Sequence, residues 1–129
     1  MSLIELLVVI AIGAILALAA VPSYRAYAVR SHRVEAAAAL LALSAAQEKF
    51  YLQNNAYTTE LERAPPDGLG MQAVTASGFY DIEIDAADAE GFRATATARG
   101  GQADDAHCAS FTINQAGART ATSTDCWSR

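Results

Sequence analysis

No run of basic residues occurs anywhere in this chain, and its 9 lysines and arginines are outnumbered by 14 aspartates and glutamates. A phosphate-binding surface needs clustered cations, so the balance argues against a nucleic-acid interface built by this chain alone. Only assembly could gather its scattered arginines into a patch. Catalytic signatures are missing too. There is no Gly-x-Ser-x-Gly element, no His-Glu-x-x-His and no phosphate-cradling glycine loop. The 2 histidines, His32 and His107, stand far apart. Nothing here supports nucleophilic or metal catalysis, and no enzyme activity, cofactor or metal is expected. Charge is scarcest at the start: before Arg25 the only charged side chain is Glu5, and from Leu6 to Val21 no side chain carries a polar atom.

What stands in place of charge is a long apolar segment. A helix from Met1 to Tyr24 would run about 36 Å at ~1.5 Å per residue, enough for a bilayer core of about 30 Å. Secretory signal peptides open with positive charge and close on a small-residue cleavage site. Here the start is negative and the run passes through Pro22 into a helical pattern. A membrane anchor fits the length but leaves Glu5 unexplained, because a carboxylate one turn inside such a segment is costly and marks function by default.

At 129 residues the chain has room for one domain plus an appendage. We place an N-terminal helix half at 1–28 and a head at 29–129. The 2 cysteines, Cys108 and Cys126, are too far apart for a redox CxxC and have no nearby histidine pair to make a good zinc site. They read as a disulfide, worth about 3 kcal/mol in the chain-entropy account, in a head outside the cytoplasm. Two buried free thiols are the alternative.

From Met1 to about Gln53 only Gly13 and Pro22 interrupt the helical signal. Pro22 removes a backbone donor and Gly13 lowers helix propensity, so a loosened stretch is expected between them. Beyond Pro22 two apolar stripes follow helical spacing. One holds Tyr27, Val34, Ala38, Leu41, Ala45 and Leu52; the other holds Ala36, Ala39, Leu43 and Phe50. One stripe is expected to hold the head's sheet, and the second, through Leu43 and Phe50, to meet neighbouring subunits. Alanine's tolerance of exposure is the competing explanation for two stripes.

Residues 55–77, with Pro65, Pro66, Gly68 and Gly70, read as a connecting loop. Short alternating runs then suggest strands over 79–84, 92–98, 109–114 and 118–122, the last two flanking the turn Asn114-Gln115-Ala116-Gly117. Short connections favour antiparallel pairing. The expected fold is α+β: a long N-terminal helix on a roughly four-stranded antiparallel sheet, closed by a C-terminal disulfide loop. The acids Asp81, Glu83, Asp85, Asp88 and Glu90 do not make a calcium loop, since Ala86 and Phe92 stand where glycine and glutamate belong. They read as the solvated face and tip of a hairpin.

Three blocks carry a resemblance. Met1-Ser2-Leu3-Ile4-Glu5-Leu6 with Val21-Pro22-Ser23-Tyr24, then Ala45–Asn55 with Tyr57-Thr58, and finally Cys108–Gly117 with Cys126-Trp127 closely resemble the mature form of a type IV pilin of the proteobacterial PilE type. That resemblance implies a prepilin whose leader is removed, with Met1 as the processed, N-methylated terminus and Glu5 paired with the terminal amine of an adjacent subunit. It implies a stay in the inner membrane of a Gram-negative cell, then an extracellular helical filament of copies of the chain. The implied partners are a prepilin peptidase, an assembly platform and ATPases. A filament used for twitching, attachment or DNA uptake is the first functional expectation. A minor pilin that primes or caps assembly is the alternative, ahead of a type II secretion pseudopilin and of a membrane-tethered binding domain that never polymerises. Position 1 is Met where Phe is commonest in the family, and Gly13-Ala14 replaces the usual glycine at position 14.

Overall fold

The computed structural model describes residues 2–128, and the chain falls into two units, Met1–Arg30 and Ser31–Arg129. One helix, α1 (Leu3–Asn54), contributes to both. In the first unit every described residue from Ser2 to Tyr27 is exposed, including the leucines, isoleucines and valines. The run is long and apolar enough to cross a membrane.

The loosened stretch expected between Gly13 and Pro22 is not present: α1 continues through both residues. Pro22 forfeits the bond its position would give the Leu18 carbonyl, and the Ser23 hydroxyl, which donates to the Ala19 carbonyl at 3.2 Å, does not replace it. Unwinding more of the segment would leave further backbone groups unpaired among apolar side chains, a larger cost than one missing bond.

In the second unit, residues 31–54 of α1 cover a four-stranded antiparallel sheet. It is built from β1 (Tyr80–Ala87), β2 (Phe92–Ala98), β3 (Ser110–Asn114) and β4 (Arg119–Ala121), in the spatial order β1-β2-β3-β4. The fold class is therefore the one expected. The β1 and β2 burial alternates as period-2 patterning demands, and Tyr80, Ile82, Ile84, Phe92, Ala94, Ala96, Phe111 and Ile113 line the inner face. Register slips between Ile84 and Ala86 at a bulge, and the turn that follows carries Asp88 and Glu90. There the Asp88 carboxylate accepts the amides of Glu90 and Gly91 at 2.8 and 2.9 Å. In the β3–β4 hairpin the Asn114 side-chain carbonyl accepts the amides of Ala116 and Ala118, each at 3.0 Å, and Gly117 supplies a positive φ of 73°.

The assignment of the two helical stripes needs correction. Leu43 is fully buried together with Ala36, Leu40 and Gln47, and Phe50 packs on the same core. This stripe therefore faces the sheet and is not open to a neighbouring subunit. Val34, Leu41 and Leu52 are instead 55%, 41% and 83% exposed. Both stripes keep helical spacing, so spacing does not choose between them; the inward one adds Leu40 to Ala36, Leu43 and Phe50, and these join Tyr80, Phe92 and Phe111 in one core. Gln47 belongs to the buried face because its amide is satisfied twice: it donates to the Thr58 carbonyl at 2.6 Å and accepts the Thr58 amide at 3.0 Å.

Candidate functional site

Three places hold the chemistry of this chain. The first is the start of α1. Glu5 accepts the Ser2 amide at 3.2 Å, and the Glu5 amide donates to the Ser2 hydroxyl at 3.3 Å. This reciprocal pair is a capping box, Ser-x-x-Glu, which satisfies two otherwise orphaned helix donors. The motif is readable in Ser2-Leu3-Ile4-Glu5, yet reading Glu5 only as an intramembrane acid misses it. Met1, the expected processed terminus, lies outside the described residues.

The second place is a polar cluster that fastens the helix to the segment before β3. Arg33 holds Asp105 through two bonds, from Nε at 2.7 Å and from a terminal nitrogen at 2.6 Å. Their side chains are only 21% and 8% exposed. The Arg33 guanidinium keeps the Asp105 carboxyl below its ordinary range, with burial opposing. Beside them Gln102 donates to the Tyr80 hydroxyl at 3.2 Å, and Tyr80 donates to the Cys108 carbonyl at 3.1 Å. The other end of the Gln102 amide lies 3.0 Å from His32 Nδ1, which places the proton on that nitrogen, and the His32 ring stacks on Phe79 at 3.9 Å. Burial raises the Tyr80 hydroxyl above its usual value. Among the described residues no buried side-chain nitrogen or oxygen lacks a partner. Such a satisfied network rigidifies; no reacting atom is left open in it. Sequence reasoning missed it, because partners some 70 residues apart leave no local signal.

The third place is the disulfide loop. Cys108 and Cys126 are bonded, with their Cα atoms 5.7 Å apart. Trp127 stands edge-on to Phe111 at 5.6 Å, its indole nitrogen donates to the Thr120 carbonyl at 2.7 Å, and the Arg119 guanidinium lies 5.5 Å above its ring. Exposed His107 lies with Nε2 at 2.9 and 3.1 Å from the two oxygens of Asp125, and its Nδ1 is 3.4 Å from the Ser123 hydroxyl. The order Ser–His–Asp does not by itself make a hydrolase. His107 and Asp125 are both open to water, and a water-excluded site with aimed donors is what that chemistry needs.

The expected site residues are divided between the two units: Glu5, Gly13 and Pro22 in the first, and Leu43, Phe50, Cys108 and Cys126 in the second. A family model described as "Type IV minor pilin ComP, DNA uptake sequence receptor" matches residues 22–112, more than half of the chain. No curated protein matches it.

Proposed function

The chain belongs to the family of the type IV minor pilin ComP, and from that premise we propose that it is a low-abundance subunit of a type IV pilus, entering the filament through its N-terminal helix. The observation that carries the reading is the family match across the second half of α1, the β1–β2 hairpin and the start of β3. Support comes from the exposed apolar run before Tyr24, which needs either lipid or other helices as its solvent. In this reading residues 1–28 are a membrane anchor before assembly and part of the filament core afterwards, and 29–129 are the pilin head. Val34, Leu41 and Leu52, exposed on the head's helix, extend the assembly face. Glu5 exchanges its local cap for the Met1 amine of a neighbour, a pairing that makes a carboxylate tolerable in an apolar core and fixes register. Processing, extraction and retraction are supplied by a peptidase, a platform and ATPases outside this chain.

Quantifying subunits in sheared filaments tests the role. We expect this chain as a small minority beside another pilin. A preparation dominated by it would make it the repeating subunit, and the twitching and attachment that depend on bulk filament would then rest on it.

The matched family's role as a DNA uptake sequence receptor favours one further reading, in which the head binds duplex DNA. Net charge of −5 supplies no general attraction, so binding must rest on a few local cations. Arg93 and Arg119 are both exposed at the same end of the sheet but, by the register, on opposite faces, so a duplex must lie across that end to reach both; they are the ones we assign. Two phosphate contacts give a salt slope of about −2 in log affinity against log salt. Fluorescence anisotropy with labelled duplexes across salt concentrations reads this directly. Binding unchanged in the Arg93→Glu, Arg119→Glu double variant would remove the assignment.

A further inference from the structure

The apolar run of the first unit ends abruptly. Tyr24, Arg25, Tyr27 and Arg30 follow it within about two helical turns, and all four side chains are exposed. No acid stands between Glu5 and Glu35, and among the described residues neither Arg25 nor Arg30 has an ion-pair partner. We propose that, while the chain is held in a membrane, these four residues form a collar that binds the phosphate groups of anionic phospholipids at the bilayer surface. The collar presupposes the membrane stay inferred above, and adds to it a lipid class and the residues that select it.

Length fixes where the collar sits. From Glu5 to Tyr24 the helix climbs about 28 Å at ~1.5 Å per residue, close to the ~30 Å of a hydrocarbon core. Tyr24 at one boundary therefore puts Glu5 at the other, where its carboxylate stays hydrated until the chain leaves the bilayer. Ser23 can lie just inside, since its hydroxyl is already satisfied by the Ala19 carbonyl. Tyrosine rings favour the headgroup level, with the apolar body inward and the hydroxyl wet. Arg30 stands about 9 Å farther along the helix. The Cα–Cβ bonds of a helix tilt towards its N-terminus, here the membrane side, and the long arginine stems reach back to the boundary.

The arrangement around the helix favours lipid over a docked protein. At ~100° per residue the four side chains fan over about 220° of the circumference. A packed helix covers one stripe, whereas a headgroup layer surrounds the helix and meets all four. Each guanidinium offers a fork of N–H donors that matches phosphate oxygens. Arg25 and Arg30 also make this stretch positive within a chain whose net charge is −5, so attraction to an anionic leaflet is confined to the collar.

The test reconstitutes the full chain in phosphatidylcholine vesicles that contain phosphatidylglycerol, with a trace of either lipid spin-labelled. Electron paramagnetic resonance reads how strongly each lipid associates with the chain. Phosphatidylglycerol should be preferred several-fold, with a ceiling of about five-fold per arginine, and the preference should shrink at high salt. It should vanish in the Arg25→Gln, Arg30→Gln double variant and persist in Arg25→Lys, Arg30→Lys. A preference unchanged in the glutamine variant overturns the collar, and so does its loss in the lysine variant. Inorganic phosphate should act no more strongly than chloride of equal ionic strength; stronger displacement would assign the arginines to a soluble anion instead. Depth separates the collar from the anchor. A nitroxide on Val21→Cys should meet oxygen but not a water-soluble nickel chelate. If it meets the chelate, the membrane anchor fails and the collar with it. If it is shielded and the lipid preference is absent, the anchor stands and the collar falls.

Discussion

Between Leu6 and Val21 every side chain is apolar and every one is exposed, whereas from Ser31 onward residues of the same kinds, Leu40, Leu43, Ile82 and Ile113, are buried against each other. The two regions use one alphabet for opposite ends. In the head, apolar surface meets its partner within the chain, and the polar groups buried with it are bonded. In the first thirty residues the backbone is satisfied by the helix, while the side chains are left for a solvent that this chain does not contain. Folding is completed inside the second region. The first is completed only by lipid or by other subunits, and its chemistry should therefore be visible in assembly and not in unfolding experiments.

Glu5 offers the sharpest way to break that contrast, and the largest effect. In the chain alone it caps α1, and a capping box accepts glutamine in place of glutamate. Pairing with a neighbour's amine needs the negative charge. Glu5→Gln should keep the helix and leave the chain in the membrane, yet reduce its amount in sheared filaments to near zero. Glu5→Ala should do the same and fray the first turn as well. Head stability in denaturant should not change in either. Normal incorporation of Glu5→Gln would reduce Glu5 to a local cap and leave the apolar run as an anchor.

Leucine at two neighbouring helical positions gives the next test, because Leu41 and Leu43 lie on opposite sides of the comparison. Leu43 is fully buried and Leu41 is 41% exposed. Leu43→Ala should cost the head about 2–5 kcal/mol by leaving a cavity under the sheet. Leu41→Ala should stay within about 0.5 kcal/mol in the isolated chain and instead lower filament incorporation. Urea unfolding of both, beside filament yields, separates the effects; a large destabilisation by Leu41→Ala would mean that the outward stripe already has a partner within the chain.

That pair also shows how far the sequence could be read. Helix, strand count, antiparallel order and disulfide were legible because each rests on local period, turn chemistry or cysteine count. The residues of the two stripes were legible as well, but not which stripe faced inward. Both stripes carry comparable apolar side chains at helical spacing, and the choice is made only by the core that Tyr80, Phe92 and Phe111 build on strands more than 25 residues away. The loosened stretch expected between Gly13 and Pro22 is absent from α1 for a related reason: local propensity is outweighed by the hydrogen-bonded turns on both sides. The Gln102 and Asp105 contacts carry no periodic or motif signal at all, since a single bidentate pair across 72 residues is fixed only once the chain has folded.

Asp105 supplies the smallest of these effects and the finest test of a head that satisfies its own charges. Its carboxyl is held below the ordinary range mainly by the hydrogen bonds from Arg33. A depressed folded value means stability that is fully present above the unfolded value of about 3.9 and is lost as pH falls through the folded one. Asp105→Asn keeps the shape but removes the charge, so at neutral pH it should cost about 1.5–3 kcal/mol, the range for hydrogen bonds to charged groups. On acidification the parent head loses this contribution and the variant has none to lose, so the gap should narrow below about pH 4. Asp81→Asn removes an ion pair to Arg99 whose side chains are 47% and 55% exposed, and should cost about 0–1 kcal/mol. Unfolding free energies of the three proteins from pH 7 to pH 2 decide the matter. If the Asp105→Asn gap stays constant through the acid limb, the clasp works through shape rather than charge. An Asp81→Asn cost as large as that of Asp105→Asn would show that burial does not separate the two pairs.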